Sequence, residues 1–371
     1  MTSARVTARL HPRTAIIVTL GLLLAACAGA KNSASGTKAS PTPSAAATSS
    51  SPTPPAPPPP SPTTCPLTGQ TVASVPHRPA LAIKVDNSPQ ARPQYGIDGA
   101  DLVYEEPVEG GITRYVVVYQ CHDASRVEPV RSARQADPYI VNQWGKTLFG
   151  NAGGSPPTLK AIDAAVKANW IVNVGYSTGG GYSRDPDRAG PSNLETSTQA
   201  LYSRPDAKIA NTATPIFNYS ANPAPGTPGT TIHVDFSQYS DVTWQWNASA
   251  GAYQRYYNGT TPSDNADGAI MSAQNVIIQT VPVTMSWWIE DPSGSHQPVP
   301  TLLGTGAALV CRQGNCVSGT WWRPGESKSQ PTYFMLNGQQ ITLAPGVTWV
   351  ELVPSSVTGP TAIPVGTYSA T

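Results

Sequence analysis

Residues 28–64 contain two lysines, no acidic residue, and otherwise little beyond Ala, Ser, Thr, Pro and Gly, with ten prolines between Pro41 and Pro62. Such a stretch cannot bury enough apolar surface to offset the entropy of ordering it. Folding is therefore confined to the chain from Cys65 to Thr371. Proline drives the stretch toward polyproline II at ~3.1 Å per residue, so it serves as a stalk reaching several tens of Å. A proline-rich ligand for a partner is the sharper alternative, but no regular Pro-x-x-Pro repeat supports it.

Upstream, Arg5, Arg9 and Arg13 precede an apolar run from Ala15 to Ala26 that stops at Cys27. This is the basic n-region, apolar h-region and small-residue cleavage site of a secretory signal. The run is shorter than the ~20 residues a spanning helix needs. A cysteine at the cleavage point resembles the bacterial lipobox. That resemblance implies cleavage before Cys27, lipid on its sulfur, and an exported protein held by that lipid on the outer face of the bacterial cytoplasmic membrane. The chain then divides into a signal peptide (1–26), a lipid-anchored disordered stalk (27–64), an N-terminal domain (65–204) and a C-terminal domain (205–371), since this length exceeds what one core organises.

Charged residues make up 12% of the chain, and losing the three signal arginines takes the net charge from +1 to −2. A nucleic-acid partner is excluded on that balance. With Cys27 lipidated, four cysteines remain, an even number that in an exported chain reads as two disulfides. Cys311 and Cys316 flank Arg-Gln-Gly-Asn between two β-type runs and face each other across a hairpin. Cys65 and Cys121 pair by elimination. Zinc on the Cys-x4-Cys pair is the alternative, without a histidine nearby in sequence. No spaced metal-ligand set and no cofactor motif is visible.

From Cys65 to Arg204 the pattern is mixed. Strands are expected at 80–86, 102–105 and 113–121, helical spacing at 132–144, and a strand at 147–151. A helix at 158–169 comes next, with Ser155 as N-cap and Pro156 at its first position, then a strand at 170–174. Strand, Gly-rich turn, helix and strand make a βαβ unit. Residues 175–190 read as a long loop, either a lid or a disordered surface segment. After Pro205 short β-type runs recur to the end. The fold class is α+β: a mixed α/β domain followed by an all-β sandwich or barrel.

Several motifs carry a family likeness. Leu67-Thr-Gly69, Arg78-Pro79, Asp86-Asn87-Ser88, Ala91-Arg92-Pro93-Gln94 and Ala100-Asp101-Leu-Val-Tyr-Glu105 open it. Glu109-Gly-Gly-Ile-Thr-Arg114, Pro129-Val-Arg131-Ser-Ala-Arg134, Ala152-Gly-Gly-Ser-Pro156 and Pro191-Ser-Asn193-Leu continue it. Asn275-Val-Ile-Ile, Gly319-Thr-Trp321 and Pro345-Gly-Val-Thr-Trp349 complete it. Together they resemble the YerB-like bacterial lipoproteins over roughly 66–355. The resemblance implies an exported lipoprotein with a conserved first half and a β-rich second half; it implies no reaction.

Chemistry concentrates in Glu105, Glu106, Glu109, Arg114, Arg131 and Arg134. Alternation sends Glu105 and Glu106 to opposite faces of a strand end, so one of them can meet Glu109 across the 107–111 turn. Two converging carboxylates are the equipment of a general acid and base, which makes these three the catalytic candidates. Paired guanidinium groups bind carboxylate or phosphate. The plainer alternative is a network in which the arginines neutralise the glutamates. Gly153, Gly154 and Ser155 form an anion cradle or a plain helix cap. Asp86 and Asn87 line the same cleft or form an Asx-turn, and Asn193 joins the ligand-binding set through its motif. Trp287-Trp288 and Trp321-Trp322 should each point one ring inward and one outward. Three functions compete: a tethered envelope module binding a polar or anionic cell-wall ligand or an envelope protein, an envelope hydrolase or transferase using the glutamates, and a solute-binding receptor.

Overall fold

In the computed structural model we describe residues 63–210, 212–291, 293–325, 330–361 and 363–371. The signal peptide, Cys27 and nearly all of the stalk lie outside them. Folded chain begins slightly earlier than the sequence suggests, because Thr64 already bridges Thr71.

The first strands are β1 (Leu81–Asp86), β2 (Leu102–Pro107) and β3 (Thr113–Tyr119), and every residue in them is buried. Near-continuous Val, Ile, Leu and Tyr runs are what a sheet covered on both faces requires. β3 lies antiparallel between β2 and β1, β4 (Thr147–Gly150) runs parallel to β1, and β5 (Ile171–Asn173) parallel to β4. The helix α2 (Pro156–Lys167) joins β4 to β5, which is the expected βαβ unit, and Ser155 is its N-cap.

The helical stretch expected at 132–144 is corrected. Only Asp137–Val141 forms an α-helix, α1, followed by a 3-10 turn at Asn142–Trp144. Pro138 does not break this helix. It sits in the first turn, where the missing N–H costs nothing, and residues 131–134 are its extended lead-in. The 175–190 loop is corrected as well: Tyr182–Arg184 (β6) pairs with Leu194–Thr196 (β7) as a small separate sheet.

The second half is β-stranded, as expected, but its strands serve two sheets. Thr348–Thr358 enters the main sheet parallel to β2, pairing Leu102 with Thr348 and Glu105 with Glu351. Asn275–Ile289 lies on its other side, also parallel, followed by Gly304–Arg312 and Asn315–Arg323 in antiparallel order. The result is one 13-stranded sheet built from both halves of the chain. Asn275–Ile289 is one strand of fifteen residues, longer than the short β-type runs expected after Pro205. Thr231–Ser237, Ser240–Asn247 and Ala252–Tyr257 form an antiparallel sheet that takes in Thr367–Ala370 at its edge.

Apolar residues separate accordingly into two cores. One, with Val85, Val103, Tyr115 and Trp349, packs against Trp244 and Tyr253 of the antiparallel sheet. There Trp349 meets Tyr115 and Trp244 edge-on, with centroids 5.2 and 5.1 Å away. The other, with Ala82, Tyr104 and Val116, packs against Ile140 and Trp144 of the α1 region and Ile162 of α2. Among the described residues no helix is long and apolar enough to cross a membrane.

Both expected disulfides are formed. Cys65–Cys121 has its Cα atoms 6.0 Å apart and spans 56 residues, and Cys311–Cys316 closes a hairpin across 4.1 Å. Cross-linking stabilises chiefly by restricting the unfolded chain, more so for longer loops. Replacing Cys65 and Cys121 together by Ala should lower the unfolding free energy in a urea titration by about 4 kcal/mol, and replacing Cys311 and Cys316 should cost less.

Candidate functional site

The carboxyl ends of β1, β2, β4 and β5 point the same way, since these strands are mutually parallel or share an antiparallel neighbour. The strand ends and the loops that follow them carry Asp86-Asn87, Glu106–Gly111, Asn151–Ser155 and Asn173–Gly175. The carboxyl ends of parallel strands are where open α/β sheets gather ligands. Alternation along β1 and β2 splits the candidate residues between the two faces of the sheet.

On the face covered by the antiparallel sheet lies Glu105, wholly buried. Its carboxylate accepts from Arg255 Nη2 at 2.9 and 3.0 Å, from Thr113 Oγ1 at 2.6 Å and from Asn87 Nδ2 at 3.3 Å. Asn87 accepts in turn from Tyr257 OH, Gln94 and Arg92. Arg255 is fully buried and stacks 4.7 Å from the Tyr257 ring. Glu351, register partner of Glu105, accepts from Trp244 Nε1 at 2.8 Å. Burial, with the Glu105 carboxylate next, pushes its carboxyl far above the usual range, so Glu351 stays protonated. A side-chain hydrogen bond with Glu105 adds to that upward push.

The helix-bearing face carries the remaining charges. Lys84, fully buried, donates to Glu106 and, at 2.9 Å, to Asp137 Oδ1. Burial pushes the Glu106 carboxyl up to about 7 against the pull of Lys84. Closer to the surface, Asp86 accepts from Arg131 Nε at 2.9 Å and lies 3.8 Å from Arg114 Nε. Its burial would raise its proton affinity, but Arg114 and Arg131 together hold the carboxyl below its ordinary range. Burial, then the nearby Arg134, brings Arg114 down to about 10. Arg134 donates to Glu109 and lies 3.6 Å from Glu290. Glu109 is thus paired with Arg134.

The Gly153 loop abuts this cluster. Ala133 N donates to Gly153 O, and Ala152 N to Arg131 O. A Cβ at Gly154 would come within 2.8 Å of Thr158, so only glycine fits. Ser155 hydrogen-bonds through Oγ to Thr158 Oγ1 at 3.2 Å. Pro156 and Pro157 remove two of the N–H groups an anion at this helix end would use. Asn193 stands beside the cluster through the Val130 N to Leu194 O bond, but its side chain is engaged with Arg184 Nη1 at 2.7 Å. Among the described residues no group of three or more His, Cys, Asp or Glu could hold a metal. Trp321 points in and Trp322 out, as alternation requires, while Trp287 is 80% exposed and Trp288 lies half-buried.

Lys84, Asp137, Arg255, Tyr257 and Glu351 were not singled out in the sequence. One signal was present for Lys84: a lone cation inside Leu81-Ala-Ile-Lys-Val85 has nowhere to go but a buried counter-charge. Nothing local marks Arg255 or Glu351, because their partner lies 150 or more residues away.

The sheet, its strand-end cluster and the covering antiparallel sheet define a two-part α+β unit with a charged mouth at its parallel strand ends. The chain belongs to the family described as Protein of unknown function (DUF3048), whose N-terminal domain matches residues 67–212 and whose C-terminal domain matches residues 232–350. It is 27% identical over 296 residues to a Bacillus subtilis (strain 168) protein named "Putative lipoprotein YerB", spanning 78% of this chain and 86% of that one. The crystal structure of YerB protein from Bacillus subtilis superposes with a TM-score of 0.66 at 25% identity, over 82% of this chain and 99% of that one.

Two outcomes are expected. Glu351→Gln keeps a donor toward Glu105 and an acceptor for Trp244, so its unfolding free energy should stay within about 1 kcal/mol of wild type. Glu105→Gln strands the buried Arg255 charge and should cost about 3–5 kcal/mol. For Asp86 the folded carboxyl titrates below its ordinary 3.8, so its stabilisation is present above that pH and lost as pH falls through the folded value. Arg131→Gln should therefore lower stability by about 1 kcal/mol at neutral pH, the gap closing below pH 3.8 in a pH series of urea titrations.

Proposed function

We propose that this chain is an exported, lipid-anchored envelope protein whose folded unit binds an anionic group of an envelope ligand at the carboxyl ends of β1, β2 and β4. The observation that carries the reading is Arg131. Its Nε is fixed by Asp86, its side chain is a quarter exposed, and its two terminal amino groups carry no hydrogen bond to any of the described residues. A guanidinium oriented from behind with its outer edge free suits a carboxylate or phosphate. Arg114 adds positive charge beneath it, and the Ala152–Ser155 loop forms one wall. A wall-peptide carboxylate, a teichoic phosphate or an acidic group on a wall glycan all present that chemistry.

The lipid reading rests on Cys27 in its sequence context and on a relative whose name carries the word lipoprotein. Two disulfides suit an oxidising compartment outside the cytoplasm. Binding is favoured over hydrolysis because Glu105 and Glu106 are sealed from solvent and Glu109 is held by Arg134.

The test is co-sedimentation of the full chain with purified, insoluble cell wall. Wild type should pellet, and Arg131→Gln should weaken binding roughly tenfold, the scale of a charge-assisted hydrogen bond. Cys27→Ser should release the protein from the membrane fraction of producing cells without changing wall affinity. Equal sedimentation of wild type and Arg131→Gln would overturn the assignment of the site. Soluble wall fragments released by wild type would replace binding with catalysis.

A further inference from the structure

Lys84, Glu106 and Asp137 sit together beneath the strand-end mouth and are fully sealed from solvent. Three elements deliver them: the fourth residue of β1, the last residue but one of β2 and the first residue of α1. Lys84 Nζ contacts both carboxylates, lying 2.9 Å from Asp137 Oδ1. Asp137 Oδ2 accepts from the Arg134 backbone N–H at 2.6 Å. Glu106 Oε2 is buried and receives no hydrogen bond from the described residues. Ala82, Tyr104, Val116 and Ile140 of the helix-side core lie on the same face of the sheet, and Arg134 is the further charge that acts on Glu106. This is an amine nucleophile, a carboxyl electrophile with one oxygen already polarised, and a second carboxyl free to carry protons.

We propose that Lys84 and Asp137 condense to an intramolecular amide, with Glu106 relaying the protons. The ammonium of Lys84 passes one proton to the Glu106 carboxylate, and the freed Nζ lone pair attacks Asp137 Cγ. The Arg134 N–H stabilises the charge that develops on Oδ2. Glu106 delivers its proton to Oδ1, takes a second proton from Nζ and delivers that too, so Oδ1 leaves as water. The third Nζ proton remains as the amide N–H, and Oδ2 becomes the amide oxygen with its Arg134 hydrogen bond intact. One ammonium and one carboxylate become one amide and one water, and Glu106 ends as it began.

In water this condensation is disfavoured because both ions are well solvated. Here neither is, and an amide removes two buried charges at once. Fixed contact supplies the effective concentration, which reaches about 10⁵–10⁸ M for well-oriented groups. A relay works best when its proton affinity lies near the working pH, and the burial that raises Glu106 to about 7 puts it there. The bond would tie β1 to α1 across 53 residues of chain, restricting the unfolded state as the Cys65–Cys121 disulfide does.

The test is mass spectrometry of tryptic peptides from the folded full chain, with Glu106→Gln alongside. For wild type, trypsin should fail to cut after Lys84, and the peptide carrying Lys84 should appear joined to the one carrying Asp137, lighter than their sum by one water. Glu106→Gln, checked for a cooperative melt, should yield the two peptides separately. Free Lys84 and Asp137 peptides from folded wild type would overturn the proposal, whatever the variant does. So would a link from Lys84 to Glu106, or full cross-linking in the Glu106→Gln protein.

Discussion

The contact on which the rest of this structure depends is the buried charge-pair of Arg255 with Glu105. Arg255 belongs to the antiparallel sheet and Glu105 to the main one, so the contact fixes the position of one on the other. Neither side chain reaches water, and each is ruinous without its partner. Glu351 completes the arrangement by remaining protonated, because two carboxylates and one guanidinium in a sealed space would otherwise leave an uncompensated charge. Trp244, Tyr257 and Asn87 satisfy most of the remaining polar atoms, and the aromatic contacts around Trp349 close over them.

Two adjacent residues, Glu105 and Glu106, therefore do unlike things. One faces the antiparallel sheet and locks it in place. Its neighbour faces the helices and joins Lys84 and Asp137. A period of two is enough to separate them, and the same rule places Asp86 with Arg114 and Arg131 on the helix side while Asn87 turns to the other. The strand-end mouth is thus one-sided: its exposed guanidinium stands over one charge cluster and is insulated from the other by the sheet.

How much of this could be read from the residues depends on distance along the chain. The βαβ unit, the Ser155 cap, both disulfides and the segregation of Glu105 from Glu106 are local consequences of pattern and spacing, and were legible. Arg114, Arg131 and Arg134 stood out as part of a dense polar cluster with the three glutamates, but not that Asp86 joins Arg114 and Arg131, nor which arginine stays exposed. The 132–144 stretch misled because its apolar spacing also suits an extended lead-in with one short helix, and only the backbone bonds of Arg131 to Lys84 and Ala152 decide between them. Arg255 and Glu351 were illegible because their significance lies in pairing with β2 from far along the chain.

The strand Thr348–Thr358 is inserted between β2 and Asn275–Ile289, in the middle of the main sheet. β2 thus keeps an open edge until nearly the whole polypeptide has been made. Such long-range pairing is slow to form. The order of the strands along the sequence thus makes closure of the main sheet a late event for a chain made from its N-terminus.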